Sequence, residues 1–477
     1  MSFDFLQTLL ANVWSIALVV VFFSASIFVH ELGHFLAARS RGVKVERFSI
    51  GFGPAIWSHR GRDGVEYRIA WLPLGGYVLL PQLADLGPIE GQIESEVERL
   101  PAVSYPAKMI VFVAGACFNV LFAFGLATII WVIGQPESNE TASTRIGYVS
   151  PTLELRAGVK VPSPASVAGL HVGDTILAID GHPVAKFFDI YTYIGLGAGQ
   201  SADGRRQAVF TIQRGAQVLD ITVHPQLVGD EQERRVGIAP GYELSVLEVA
   251  PRSLAAKARF HPEDVFVSID GQPVLNVQTL QDALEASALR SATIVVRRGG
   301  RELTLTLPAR PQAKSGANIG LALTTGYTLI HPTPFAQIGD QVMMSVRTLW
   351  SLLNPHSDMG LSKLSGPVGI VHIFRSAAEA GLRPVLLFTI LLNMSLAIFN
   401  LLPLPVLDGG QMMFATIGRL RGRALSVNFV MAANSIFIVL LLTMVIYVSI
   451  FDVRRIKRDN ADAAPPPPPA SAVPAKP

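Results

Sequence analysis

Residues 11–37 form an apolar run whose only charged side chain is Glu31. A run of this length exceeds the ~18–20 residues that cross a bilayer, so it does not suit a surface helix of a soluble domain. Two more runs, 109–134 and 424–450, are as long and carry no charge; a fourth, 385–407, is broken near its end by Pro403 and Pro405. Composition agrees. Only 16% of the 477 residues are charged, against roughly 25% in soluble domains. The 39 basic and 36 acidic side chains leave a net charge of +3, too little to steer a polyanion, so no nucleic-acid partner is expected. The single cysteine, Cys117, excludes a disulfide scaffold and any multi-cysteine metal site.

Residues 1–7 carry no basic side chain. With so long an apolar run behind them, they read as the start of a retained helix and not as a cleaved signal peptide. Arg39, Arg41, Lys44 and Arg47 follow the first run, and Arg419, Arg421 and Arg423 precede the last. The excess of basic residues on cytoplasmic loops places both clusters inside. Four crossings then put the N-terminus, residues 135–384 and the C-terminus outside, although Arg454, Arg455, Lys457 and Arg458 argue the other way for the C-terminus.

Residues 140–325 differ, with strand-like alternation, turn signals and ordinary charge. They also repeat. Gly173-Asp174-Thr-Ile-Leu-Ala-Ile-Asp180-Gly181-His-Pro183-Val184 returns 90 residues on as Glu263-Asp264-Val-Phe-Val-Ser-Ile-Asp270-Gly271-Gln-Pro273-Val274. Gln213-Arg214-Gly215 is echoed by Arg298-Gly299-Gly300, and Val236-Gly237-Ile238 by Ile319-Gly320-Leu321. Two domains of about 90 residues follow. Each Asp-Gly suits a hairpin turn, where positive φ is needed. The Ala168-Gly169-Leu170, Gly173-Asp174 and Ile-Asp-Gly-x-Pro-Val elements resemble a bacterial PDZ domain. The second copy lacks the Ala-Gly-Leu and has Lys257-Ala258-Arg259-Phe260 near that place. The resemblance implies contact with extended peptides by strand addition, or a folded spacer without a ligand.

The sharpest pattern is His30-Glu31-Leu32-Gly33-His34. On a helix, positions i and i+4 share a face, so two imidazoles can hold one zinc ion while the glutamate beside them serves as base. Zinc acidifies water to a pKa near ~7, and a carboxylate can then take its proton. A charge near a bilayer centre costs at least ~2.5–3.5 kcal/mol on insertion scales, so such residues usually serve a site. Two histidines leave the ion one protein ligand short. Asp408, in Asn400-Leu-Leu-Pro403-Leu-Pro405-Val-Leu-Asp408-Gly409-Gly410, is the natural third, completing a two-His, one-carboxylate site with an open position. Pro403 and Pro405 exclude regular helix and predict an extended segment over 400–407. Such backbone survives in a membrane only where protein or a cavity covers it, as beside a substrate that Asn400 would hydrogen-bond.

Together these motifs resemble the site-2 protease family of intramembrane zinc metalloproteases, in particular its bacterial regulator-of-sigma-E branch. Gly51-Phe52-Gly53-Pro54, Pro73-Leu74-Gly75-Gly76-Tyr77-Val78 and Ser365-Gly366-Pro367-Val368-Gly369-Ile370 are similar to further family stretches. The second helix departs from the family pattern: it reads Ala114-Gly115-Ala116-Cys117-Phe118-Asn119, where a proline is usual at 116. Gln411 stands where many relatives have histidine. The resemblance implies zinc on His30, His34 and Asp408, Glu31 as general base, and Asn400, Pro403 and Pro405 in substrate positioning. It also implies transmembrane protein substrates such as an anti-sigma factor or remnant signal peptides, contact with membrane lipid, and a bacterial inner membrane location with the PDZ-like pair on the periplasmic side.

The expected architecture is a polytopic α-helical membrane protein of about four transmembrane helices, with a membrane-associated β segment and two α+β PDZ-like domains. Its parts are a first transmembrane helix (1–42), the β segment and cytoplasmic loop (43–107), a second helix (108–135), the two PDZ-like domains (140–240 and 241–326), a linker and amphipathic region (327–384), a third transmembrane segment (385–410), a fourth helix (424–450) and a disordered Pro-rich tail (451–477). The competing readings are a membrane-bound PDZ scaffold with a structural zinc site, which has no need of a glutamate beside an open metal position, and a zinc-dependent transporter, which would want charged residues across several helices where 109–134 and 424–450 offer none.

Overall fold

The computed structural model describes residues 3–83, 101–156, 158–229, 231–309 and 319–462. Most of the expected cytoplasmic loop and the tail from 463 onward lie outside the described residues. The chain divides into two compact units, Met1–Ile133 with Pro332–Val346 and Leu361–Pro477, and Gly134–His331 with Arg347–Gly360.

The first unit holds helix α1 (Phe3–Ser40), an antiparallel hairpin of β1 (Arg47–Arg60) and β2 (Glu66–Leu79), and helix α2 (Tyr105–Ile133). It continues with α3 (Pro367–Ala380), α4 (Leu382–Asn400), α5 (Asp408–Leu420) and α6 (Val427–Asp462). Among the described residues, four stretches are long and apolar enough to cross a membrane: Ile16–Ser40, Tyr105–Ile133, Leu382–Asn400 and Val427–Asp459. Lipid tails give helices no hydrophobic reason to associate, so close packing must hold them together. Gly33 meets that need on α1, because a Cβ there would lie 2.5 Å from the Ala114 carbonyl oxygen of α2. Further along, Ala123, Leu126 and Ile130 of α2 pack on Leu386, Ile390 and Met394 of α4. The hairpin leans on the end of α1 through Phe48 and Val65 against Phe35 and Ala38.

Two expectations are corrected here. The segment over 400–407 is not extended. The α4 helix stops at Asn400, and Leu401–Leu407 forms consecutive turns in which the Leu404 N–H donates to Leu402 O (2.7 Å) and the Leu407 N–H to Leu404 O (3.2 Å). Asp408 then opens a separate helix. The reason lies in Gly409 and Gly410, whose absent Cβ atoms would sit 2.3 Å from Leu402 O and 2.0 Å from Leu404 O; the chain folds back on itself there. The tail expected to be disordered from 451 is helical through Asp462. Buried Asp452 ties it down: its Oδ2 accepts the Gly366 and Gly369 N–H groups at 2.9 and 2.8 Å, capping α3 from another helix. Arg455 adds a hydrogen bond from Nη2 to Ser362 O (3.2 Å). Asp452→Ala leaves two buried N–H groups without an acceptor. It should destabilise the protein by about 1–3 kcal/mol, read as a lower unfolding midpoint in detergent; an unchanged midpoint would remove this cap from the account.

The second unit contains two separate apolar cores. Ile176, Ile179, Phe187, Phe210 and Ile212 anchor one; Phe266, Ile269, Leu280, Ile294 and Val296 anchor the other. The first copy has a sheet ordered Gln217–Val223, Ala208–Arg214, Thr175–Ile179, His182–Pro183, and the second one ordered Arg301–Leu307, Ala292–Arg298, Val265–Ile269, Ser245–Val249, Leu321–Thr324. The sequence repeat reappears as repeated geometry. Ser163 and Ser253 cap short helices by accepting N–H groups three residues on, both at 3.1 Å. Asp180 and Asp270 turn at φ 49° and 48°, and each accepts a strand N–H at 2.8 Å. Buried Asp174 and Asp264 each take two hydrogen bonds from an arginine, Arg214 and Arg298.

Burial, the largest single effect, would raise the Asp174 and Asp264 pKa values, but the arginine hydrogen bonds, the backbone N–H of His171 or His261 and the arginine charge together outweigh it and hold both below the ordinary 3.8. The unfolded chain then binds protons more readily than the folded one. The stabilisation is complete above the ordinary value and is lost as pH falls from there through the lowered values. Asp174→Asn should therefore flatten the acid limb of the stability curve, followed by unfolding of the chain between pH 5 and pH 2. A wild-type acid profile in that variant would remove the pair as its cause.

Candidate metal centre

The α1 helix is apolar on all sides, and its His30 and His34, one turn apart, point the same way. Their Nε2 atoms lie 3.1 Å apart. The first residue of α5 brings the third donor, with Asp408 Oδ2 3.4 Å from each Nε2. Two ligands each ~2.0–2.1 Å from a tetrahedral zinc ion stand about 3.3 Å apart, so the three edges have the size the ion requires. Asp408 Oδ2 is buried and accepts no hydrogen bond. A buried carboxylate oxygen aimed at two imidazole nitrogens without a proton donor is the arrangement a cation would complete. Among the described residues this is the one cluster of three such donors.

The surroundings favour ligation through Nε2. His34 Nδ1 lies 2.8 Å from the Val111 carbonyl oxygen, which can only accept. That fixes the proton on Nδ1 and leaves the Nε2 lone pair free. His30 Nδ1 faces the amide of buried Asn119, with Nδ2 at 3.3 Å. The same amide has its Oδ1 buried without a partner. A 180° turn of this isosteric group satisfies Oδ1 and gives His30 the same tautomer as His34. The approach of α2 to the imidazoles depends on Gly115, where a Cβ would fall 2.4 Å from His34 Nε2 and 2.6 Å from His30 Cε1.

The donors open into a cavity of about 330 Å3, whose wall includes Glu31, Tyr77, Val78, Asn400, Val406 and Gln411. Glu31 faces β2 at Gly76, where a Cβ would come 3.2 Å from Glu31 Cγ; glycine lets the strand reach the glutamate. Asn400 Nδ2 is 3.4 Å from His30 Nε2. Pro403 and Pro405, expected near the substrate, are not among the described residues of this wall. Sequence reasoning assigned nothing to Asn119, Gly115 or Gly76. Gln411, noted only as standing where many relatives have histidine, lines the cavity with its Nε2 buried and unpaired. A polar residue on the interior face of an apolar helix, as Asn119 is, was the available signal.

Two histidines and a carboxylate facing an open cavity, with a glutamate beside them, define a metal-dependent hydrolase site, here within apolar helices. The sequence profile of Peptidase family M50 matches residues 18–444, and the chain belongs to that family; it is a zinc metalloprotease. It is 32% identical to the regulator of sigma-E protease RseP of Escherichia coli (strain K12) over 469 residues, covering 92% of this chain and 99% of that one. The regulator of sigma E protease of Salmonella typhi is 31% identical over 465 residues, with the same coverage. The protease RseP of Yersinia pestis is 30% identical over 475 residues, again covering 92% and 99%.

Proposed function

We propose that the protein cleaves single-span membrane proteins within the bacterial inner membrane, as a step of regulated intramembrane proteolysis of the sigma-E kind. The observation that carries this reading is the triangle of donors, 3.1, 3.4 and 3.4 Å on its edges, next to Glu31 in a unit with four membrane-length apolar helices. His30, His34 and Asp408 hold zinc. Bound zinc supplies Lewis-acid polarisation of the scissile carbonyl and of the attacking water. Glu31 takes the proton from that water and passes it to the leaving nitrogen. Asn400, with its amide at the edge of the donor triangle, positions the substrate by hydrogen bonding.

A transmembrane substrate hides its carbonyls in i to i−4 hydrogen bonds, so it must unwind before it can be cut. Among the described residues β1 pairs with β2 alone, so its other edge offers backbone groups on which an unwound segment can pair. The repeated units at 140–240 and 241–326 act as PDZ-like domains on the periplasmic side, contacting peptide and limiting access to trimmed substrates. Comparing membrane proteomes of wild-type cells and cells carrying Glu31→Gln tests the reading. Single-span fragments should accumulate in the variant; identical proteomes would overturn it.

A further inference from the structure

The turn that delivers Asp408 contains a backbone conformation that its sequence does not favour. Val406 sits at φ 75°, the left-handed region, where a β-branched side chain is a true outlier and costs of order 1–3 kcal/mol. Such a conformation persists only where its surroundings enforce it. The enforcing group comes from another helix: the Val406 N–H donates to Asn434 Oδ1 on α6 at 3.1 Å. Among the described residues this is the one side-chain hydrogen bond to the backbone of 401–407 from outside the turn.

Asn434 is unusual in its own helix. The apolar window of α6 is only 11% buried, yet Asn434 is fully buried. An asparagine in an apolar span is expensive and so serves a purpose. Its position answers to the turn. Val406 and Leu407 form part of the cavity wall, and Asp408 follows at once with its Oδ2 between the two imidazoles. A relaxed Val406 would rotate the following peptides and carry the carboxylate away from Nε2 of His30 and His34.

We propose that Asn434 is a positioning residue for the metal centre: by holding Val406 in its left-handed conformation from α6, it sets the Asp408 carboxylate against the two histidines. The proposal rests on the reading of Asp408 as a zinc ligand. It also couples α6 to the reaction, since movement of that helix would release the turn.

The test uses the full chain in detergent, with zinc retention against a competing chelator as the primary readout and cleavage of a single-span substrate as the second. Asn434→Leu keeps the number and branching of heavy side-chain atoms and removes the acceptor. It should retain zinc about 10- to 100-fold less tightly, as loss of a supporting partner does at other metal sites. Asn434→Asp keeps an acceptor oxygen and should restore retention. Val406→Gly adopts φ 75° without penalty, so Asn434→Leu with Val406→Gly should recover most of the loss. Asn434→Leu with wild-type zinc retention overturns the proposal. So does a double variant that recovers neither accumulation in the membrane nor zinc, since a purely structural asparagine gives that outcome. Asp408→Asn separates this from the underlying reading. If it leaves zinc stoichiometry unchanged, the ligand assignment fails; if it loses zinc while Asn434→Leu does not, only the positioning role fails.

Discussion

Glu31→Gln should lower cleavage of a single-span substrate by about 10²–10⁴-fold, the range that a positioned general base contributes, with one zinc per chain retained. Glutamine matches glutamate in shape and keeps the close contact with β2 at Gly76, where only 3.2 Å separates Glu31 Cγ from the site of an absent Cβ. What it loses is the ability to take a proton. Asp408→Ala should give the opposite split. It removes the oxygen that lies 3.4 Å from both Nε2 atoms, so zinc and activity should disappear together. Metal analysis beside single-turnover cleavage in vesicles separates the two variants. Cleavage at the wild-type rate by Glu31→Gln would falsify the assignment of the base, and full zinc content in Asp408→Ala that of the ligand.

That His30, His34 and Asp408 come together was legible because polar residues are conspicuous in long apolar runs. His30, Glu31 and His34 interrupt a run without other charge, and Asp408 follows another. The residues that arrange them were not, because their reasons lie far away in sequence. Gly33 is needed by Ala114, Gly115 by His30 and His34, and Gly366 and Gly369 by Asp452. Nothing local distinguishes these glycines from others. The segment 401–407 shows a subtler limit. Prolines remove donors and exclude helix, but they do not choose between extended chain and turns; Gly409 and Gly410, packed on Leu402 and Leu404, decide for turns. The repeat was readable because it occurs twice, yet its conformation persists where its sequence does not. Gly169 ends one short helix at φ 79°, and Arg259, 90 residues on, takes φ 63° in the copy that lacks the glycine. Packing of each core against its sheet overrides the preference of one residue for right-handed backbone.

Gly115→Ala should abolish zinc binding and cleavage even though alanine is the better helix former, because local and tertiary effects oppose each other at this position. Within a helix, alanine is favoured over glycine by about 1 kcal/mol. At Gly115, however, the new methyl would lie 2.4 Å from His34 Nε2 and 2.6 Å from His30 Cε1, closer than any real contact allows. Gly33 against the Ala114 carbonyl shows how closely the two helices pack, so the methyl must turn the imidazoles away or push the helices apart. His34 then loses its hydrogen bond to Val111 O, and the donor triangle opens. Gly125→Ala is the matched control on the same helix, because a Cβ there meets nothing within 4 Å; it should keep zinc and cleavage while gaining the same helix preference. Zinc content of both variants and their unfolding midpoints in detergent decide the matter. A Gly115→Ala protein with a full zinc complement would show that the imidazoles do not need the space this glycine leaves, and the close approach of α2 would then serve helix packing alone.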